Sequence, residues 1–347
     1  MKTKLLFTFA ISIILCSCDS HKQKQTPVEN PSEAPLSVIF ETDMGNDIDD
    51  ALALDMLYKY IEAGRINLLM MATNKVSEYS AGYMDLMNTW YGHTIPIGTV
   101  AGGTTSDAED HFVRATCLLE KEGNPVFART VKDHSSFPKA VSLYRKTLAD
   151  QPDHSVYIIS VGFSTNLAQL LDSPADEYSP LTGKELVAKK VKLLSTMMGH
   201  FEDPNFDEFN VKCDIPAAQK VINEWPTEIV ASPFEVGNVI LYPGQSIQND
   251  FSWTEHHPMV VGYENYQPMP YDRQTWDLTS VLYVVEKDKN FFDTSGPGKI
   301  TIDNKAITSF VPDEKGQHLY LKVNTEQAEV IKNYFINLIT QKPARYN

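Results

Sequence analysis

The chain has 347 residues, of which 42% are hydrophobic, and a formal charge of −15 at pH 7. That length fits one large α/β domain or two small ones. The acidic balance repels phosphate backbones and argues against a nucleic-acid partner, whereas a small neutral ligand is indifferent to it.

At the N-terminus, Lys2 and Lys4 precede an apolar run over residues 5–15. The run is too short to span a bilayer and has the charge order of a secretory signal. Leu15-Cys16-Ser17-Cys18 then resembles a bacterial lipobox, with small Ser17 immediately before the acceptor cysteine. Residues 1–18 therefore read as a lipoprotein signal peptide that leaves Cys18 lipidated. The expected location is the bacterial cell envelope, periplasmic or surface-exposed, with the lipid as the membrane contact. An ordinary signal peptide or an uncleaved anchor stays open on these residues alone. Residues 19–35 are polar and proline-containing and read as a flexible tether. Residues 36–347 are expected to form a single domain.

The next stretch places four carboxylates within eight residues. Val38, Ile39 and Phe40 read as a buried strand, Gly45 gives the backbone room to turn, and a helix is expected over residues 51–63. Asp43, Asp47, Asp49 and Asp50 thus sit at the carboxyl end of a strand, where open α/β sheets place their ligands. One aspartate there is explained by the helix dipole, but four are not. Like charges this close raise one another's pKa unless a hard cation neutralises them, and Ca²⁺ takes six to eight oxygen ligands of this kind. An EF-hand is excluded, because its glycine and glutamate positions hold Ile48 and Leu54. A haloacid dehalogenase-type phosphatase stays as a weak alternative, since Gly45 stands where its second aspartate belongs.

Downstream, strands are expected at residues 66–72, 96–100, 154–161, 191–198 and 227–231. Helices are expected at 77–91, 166–171 and 326–340. This alternation predicts an α/β fold with a largely parallel, mixed central sheet and helices on both faces. Asn74, Val161-Gly162, Met198-Gly199 and the acidic loop should gather on one sheet edge, which makes a pocket. Cys117 and Cys213 lack a paired spacing and read as independent buried residues.

Over residues 36–285 the chain resembles the nucleoside hydrolase family of the inosine-uridine preferring type. The family opens with Asp-Thr-Asp-Pro-Gly-x-Asp-Asp-Ala after its first strand. Here residues 41–51 write it as Glu-Thr-Asp-Met-Gly-Asn-Asp-Ile-Asp-Asp-Ala, two residues longer. The resemblance implies that Asp43, Asp49 and Asp50 are catalytic, serving as calcium or ribose ligands and orienting the attacking water. The extra Asp47 has no counterpart. Further matches follow in order: Asn74 for the ribose, residues 160–168 with the Val161 carbonyl on the metal, and Glu208 and Asn210 on the ribose hydroxyls, assisted by Asn205. Asp277 closes the metal site, so that Asp43, Asp50, Val161 and Asp277 hold Ca²⁺. Asp49, Asn74, Asn205, Glu208, Asn210 and Trp276 would then line the substrate site.

Trp276 departs from the family, which has histidine there. An indole N–H does not protonate a leaving group near neutral pH. Activation of the base by aromatic stacking, a donor from elsewhere, or no help at all stay open; His93, His111, His200, His256 and His257 are the imidazoles to examine, with residues 250–273 as a lid and Tyr263, Tyr266 and Tyr271 as base-pocket walls. The implied activity is hydrolysis of the N-glycosidic bond of ribonucleosides, or of a related ribosyl compound, to free base and ribose. The partner is a small-molecule nucleoside, and a homo-oligomer is compatible with these residues. A nucleoside- or sugar-binding lipoprotein with little or no turnover is the competing reading. Residues 287–347 carry no assignable motif.

Overall fold

Apolar runs of strand length that do not alternate with polar residues suit a sheet covered on both faces. The computed structural model, which describes residues 34–104 and 110–346, has such a sheet. The expected signal peptide, Cys18 and nearly all of the tether lie outside the described residues. Six strands follow one another with intervening helices: β1 (Leu36–Thr42), β2 (Ile66–Thr73), β3 (Ile97–Thr99), β4 (Val156–Val161), β5 (Val191–Met197) and β6 (Glu228–Ser232). Three more, β7 (Gly298–Ile302), β8 (Thr308–Pro312) and β9 (His318–Lys322), complete the order β8-β7-β9-β6-β5-β4-β1-β2-β3. From β3 through to β9 neighbours run parallel, and the β7–β8 hairpin is antiparallel. The segment without a motif therefore extends the sheet, and its helix Thr325–Ile339 packs on the first helix, α1 (Asp49–Glu62).

Side-chain alternation splits the core into two layers. Val38 and Phe40 of β1 face one side while Ile39 faces the other, and Leu193 and Leu194 of β5 divide in the same way. The helix α1 is buried from Asp49 to Tyr60, which suits an element enclosed on all sides. It begins two residues before the expected start, so Asp49 and Asp50 form its first turn. The helix expected at 77–91 starts at Ser80 instead. The Ser77 hydroxyl accepts the Tyr79 and Ser80 backbone N–H groups and keeps the preceding residues in a turn. Cys117 is buried and Cys213 only partly so. No described helix is long and apolar enough to cross a membrane.

Two sheet features position the site. Strand order reverses at β1, which has β2 on one side and β4 on the other, and the crevice beyond such a switch point is where α/β sheets bind ligands. The ends of these strands also approach closely. A Cβ on Gly162, just after β4, would stand 2.4 Å from Asn74 Oδ1 and 2.6 Å from the Asp43 backbone nitrogen, so only glycine fits.

Candidate active site

A cavity of about 280 Å³ opens at the carboxyl ends of β1, β4, β5 and β6. Six carboxyl side chains line it: Asp43, Asp47, Asp49, Asp50, Glu208 and Asp277. Asn46, Asn210, Val161 and Met197 contribute between them, and Phe209, Phe234 and Trp276 supply aromatic surface.

Residues distant in the chain are bound together here. Asp49 Oδ2 accepts the backbone N–H of Asp277 at 3.1 Å, joining α1 to the start of the helix Trp276–Val285 across 228 positions. The Thr42 hydroxyl donates to Asp50 Oδ1, and the Asn46 amide donates to Asp43. Lys75, only 2% exposed, donates to Asn46 Oδ1 at 2.7 Å and pairs with Asp110 at 2.6 Å. Gly45, with φ of +111°, makes the loop's turn in the region that glycine tolerates.

Burial dominates the electrostatics. It raises Asp43 to about 6 against the opposing charge of Lys75. Asp49, Asp50 and Asp277 are pushed well above the usual carboxylate range, first by burial and then by the charges of neighbouring aspartates. Glu208 is raised to about 7 by burial, although its oxygens accept the backbone N–H groups of Asn210, Gly199 and Val211.

Several buried atoms have no partner within the protein. They include Asp50 Oδ2 and Asp47 Oδ1. Buried polar groups are ordinarily satisfied, so these atoms mark a place suited to a ligand. Oxygen donors from Asp43, Asp50, Asp277 and the Val161 carbonyl fit a hard cation by chemistry. Among the described residues, however, no group of three or more His, Cys, Asp or Glu side chains forms a ready-made coordination shell. The acids surround the cavity without closing on one point.

Nearly all the expected site residues meet. Asp43, Asp49, Asp50, Val161, Glu208, Asn210, Trp276 and Asp277 line the cavity, and Asn74 lies buried beside Asp43 near Gly162. Asn205 does not join them. It is exposed in the turn after Asp203, and its backbone N–H is taken by the Asp203 carboxylate.

The expected replacements for the missing imidazole are elsewhere. His257 is buried against Trp90 and Asp55, His256 lies beside Phe127, and His93 stacks on Tyr58. His111 is exposed at the start of the helix His111–Cys117. His200 stacks at 5.6 Å on Phe234, a lining residue, but does not itself line the cavity. The tyrosines also differ from expectation. Tyr263 and Tyr271 stack at 4.4 Å and each donates its hydroxyl to the other's backbone carbonyl, so they close on each other rather than on a base. Their segment, expected as a lid, folds in part as the helix Pro258–Tyr266 and packs against the helix His111–Cys117.

Three features escaped sequence reasoning. Asp47, in the two-residue insertion, pairs with Arg273, whose guanidinium also lies 5.0 Å from the Trp276 ring and 5.1 Å from Tyr266. Phe234, the first residue of the short helix Phe234–Asn238 that follows β6, had no local motif to mark it. Trp276 donates its indole N–H to the Phe234 carbonyl at 2.9 Å while their rings pack at 5.2 Å.

A family model described as inosine-uridine preferring nucleoside hydrolase matches residues 38–334. Similar solved structures include the plant nucleoside hydrolase PpNRh1, 16% identical over 89% of this chain and 100% of the other, with a TM-score of 0.62. An inosine-uridine preferring nucleoside hydrolase from Bacillus anthracis is 15% identical over 88% and 99%, with a TM-score of 0.65. An inosine-guanosine nucleoside hydrolase is 15% identical over 88% and 97%, with a TM-score of 0.63. Identities this low show a shared fold. No curated protein sequence matches the chain. The family match sets aside the phosphatase alternative.

Proposed function

Because this chain belongs to the inosine-uridine preferring nucleoside hydrolase family, and is thus a hydrolase of N-glycosidic bonds, we propose that it releases base and ribose from ribonucleosides or related ribosyl compounds using Ca²⁺ and an aspartate. The observation that carries this reading is the hydrogen bond from the Asp277 backbone to Asp49, which draws acids from both ends of the chain into one cavity.

Asp43, Asp50, Asp277 and the Val161 carbonyl would hold the cation, which when bound supplies a more acidic water and an anchor for vicinal hydroxyls. Asp43, Asp49 or Asp50 accepts the water's proton. Glu208, Asn210, Asn74 and Asp49 take the ribose hydroxyls. The ring of carboxylates stabilises the positive charge that develops on the sugar as the base departs. Phe209, Phe234 and Trp276 offer apolar surface to the base. Lipid on Cys18 would keep the enzyme at the cell envelope, and Cys18→Ser should move it to the soluble fraction.

Reducing-sugar release from a panel of nucleosides and ribosyl conjugates, with and without chelator, tests the proposal. Turnover that vanishes with chelator and returns with Ca²⁺ is the expected result. Calcium-dependent nucleoside binding without any release of sugar would favour the binding-protein reading instead.

A further inference from the structure

Lys75 is a buried cation at the edge of the acidic loop. It follows Asn74 directly beyond the end of β2, and only 2% of it is exposed. An ammonium group taken out of water is costly unless it is paired and hydrogen-bonded. Asp110 Oδ1 supplies the opposite charge at 2.6 Å, and the Ser77 hydroxyl, donating to Asp110 Oδ2 at 2.6 Å, holds that carboxylate in place. The ion pair would suffice for neutrality. Lys75 nevertheless has a second partner, donating to Asn46 Oδ1 at 2.7 Å.

That second contact leads into the group of acids fitted to a cation. The Asn46 side-chain amide donates from Nδ2 to Asp43 Oδ2. An ammonium only donates and an ionised carboxylate only accepts, so an amide held between them has one sense, oxygen to Lys75 and nitrogen to Asp43. Asp43 Oδ2 is thereby occupied. Oδ1 lies instead against the end of β4, where a Cβ on Gly162 would stand 2.8 Å from it, next to Val161. The turn of the loop rests on the same ion pair, since a Cβ on Gly45 would stand 2.9 Å from Asp110 Oδ1 and 3.4 Å from Lys75 Nζ. Asn46 belongs to the stretch in which this chain is two residues longer than the family pattern. A longer loop has more conformations to lose, and Lys75 with Asn46 restricts them.

Resting on the reading of Asp43 as a cation ligand, we propose that Lys75 is a positioning residue: acting through the Asn46 amide, it fixes the Asp43 carboxylate with Oδ2 engaged and Oδ1 left to the cation. Lys75 does not itself line the cavity. Its effect therefore passes through Asn46, which separates it from two simpler roles. A cation acting only through its field repels Ca²⁺, so its removal tightens calcium binding whether or not Asn46 is present. A cation that only clamps Asp110 serves stability and leaves Asn46 without influence.

The test is a double-mutant cycle on the full-length protein, comparing wild type, Lys75→Met, Asn46→Ala and the double variant. Calcium affinity is read by calorimetry, and kcat and KM are read at saturating calcium on the nucleoside that the wild-type protein cleaves fastest. Each single variant should weaken calcium binding about 10-fold and lower kcat by about 10–100-fold, the range for outer-shell partners of metal ligands. KM should stay within about threefold, because the residues assigned to the ribose hydroxyls are untouched. The double variant should be no worse than the more affected single, since both substitutions break one relay. Tighter calcium binding in Lys75→Met, or losses that multiply in the double variant, would overturn the inference. So would Asn46→Ala with wild-type affinity and kcat, a result that also decides the matter should Lys75→Met fail to fold. In each of these cases a wild-type protein that binds calcium and releases sugar leaves the hydrolase reading intact. Wild-type protein that does neither would take both readings with it.

Discussion

Two buried acidic regions begin only two residues apart, one on β1 and one just beyond its end, and they are finished differently. Glu41 is fully buried and accepts hydrogen bonds from the Ser160 hydroxyl at 2.7 Å, the Tyr144 hydroxyl at 2.9 Å and the Asn166 amide at 3.3 Å. The protein itself satisfies it. Around Asp43, Asp50 and Asp277 the same depth of burial comes with mutual repulsion and with oxygens that no protein donor meets. A carboxyl with a complete set of donors stabilises a fold, whereas a cluster without one is suited to a ligand.

The largest test of this contrast is Asp277→Asn or Asp50→Asn. Each should abolish calcium binding by calorimetry and lower turnover by more than about 100-fold, given that even outer-shell partners of metal sites cost 10–100-fold. Full turnover in either variant would contradict the assignment. The same variants should raise the melting temperature of the calcium-free protein, because they remove buried, repelling charge.

Glu41→Gln should behave in the opposite way, leaving calcium affinity in place and changing the pH dependence of stability. Burial raises Glu41 from 4.5 to about 7, so the fold holds its proton more tightly than the unfolded chain does. The resulting stabilisation is complete below about 4.5 and is lost as pH rises through about 7, amounting to about 3 kcal/mol. Denaturant titrations across that window should show the decline in the wild-type protein and a flatter profile in Glu41→Gln. Equal slopes would mean that Glu41 is not the responsible group.

Calcium removal should have a slightly smaller effect. At a free concentration 100 times Kd, the ion contributes about 2.7 kcal/mol, and chelator should remove that amount in thermal melts. The loss should be greater at pH 7.5 than at pH 5, because the raised carboxyls hold protons at the lower pH and compete with the ion. A chelator effect independent of pH would argue against the aspartates as ligands.

Trp276→His places an imidazole where the chain lacks one. Inosine turnover should rise about 10-fold relative to that of a riboside whose leaving group departs without acid assistance, and should fall at high pH as the imidazole loses its proton. An unchanged ratio would show that acid assistance is not what limits neutral bases. The smallest effect is expected from Asp47→Asn, which weakens the tie to Arg273 but leaves the other acids in place. KM should change a few-fold with kcat nearly constant, and a collapse in kcat would promote Asp47 to a catalytic role.

The strand–helix alternation, the acidic loop and the order of the cavity-lining segments were legible because each is a local pattern, set by spacings of two to four residues or by adjacent side chains. Helix starts slipped by a few residues, since Ser77 caps a turn and Asp49 enters α1 early. Asn205 misled because proximity to Glu208 in sequence does not survive the turn at Asp203.

From its residues alone, the chain determined that carboxylates would stand beyond the carboxyl end of β1 and that its runs of apolar side chains would build a parallel sheet. Tertiary structure decided which distant groups meet them: Asp277 with Asp49, Arg273 with Asp47, and the Phe234 carbonyl with the Trp276 indole. The reason is that these partners are joined by strand order and packing across tens to hundreds of residues, which no short-range periodicity encodes.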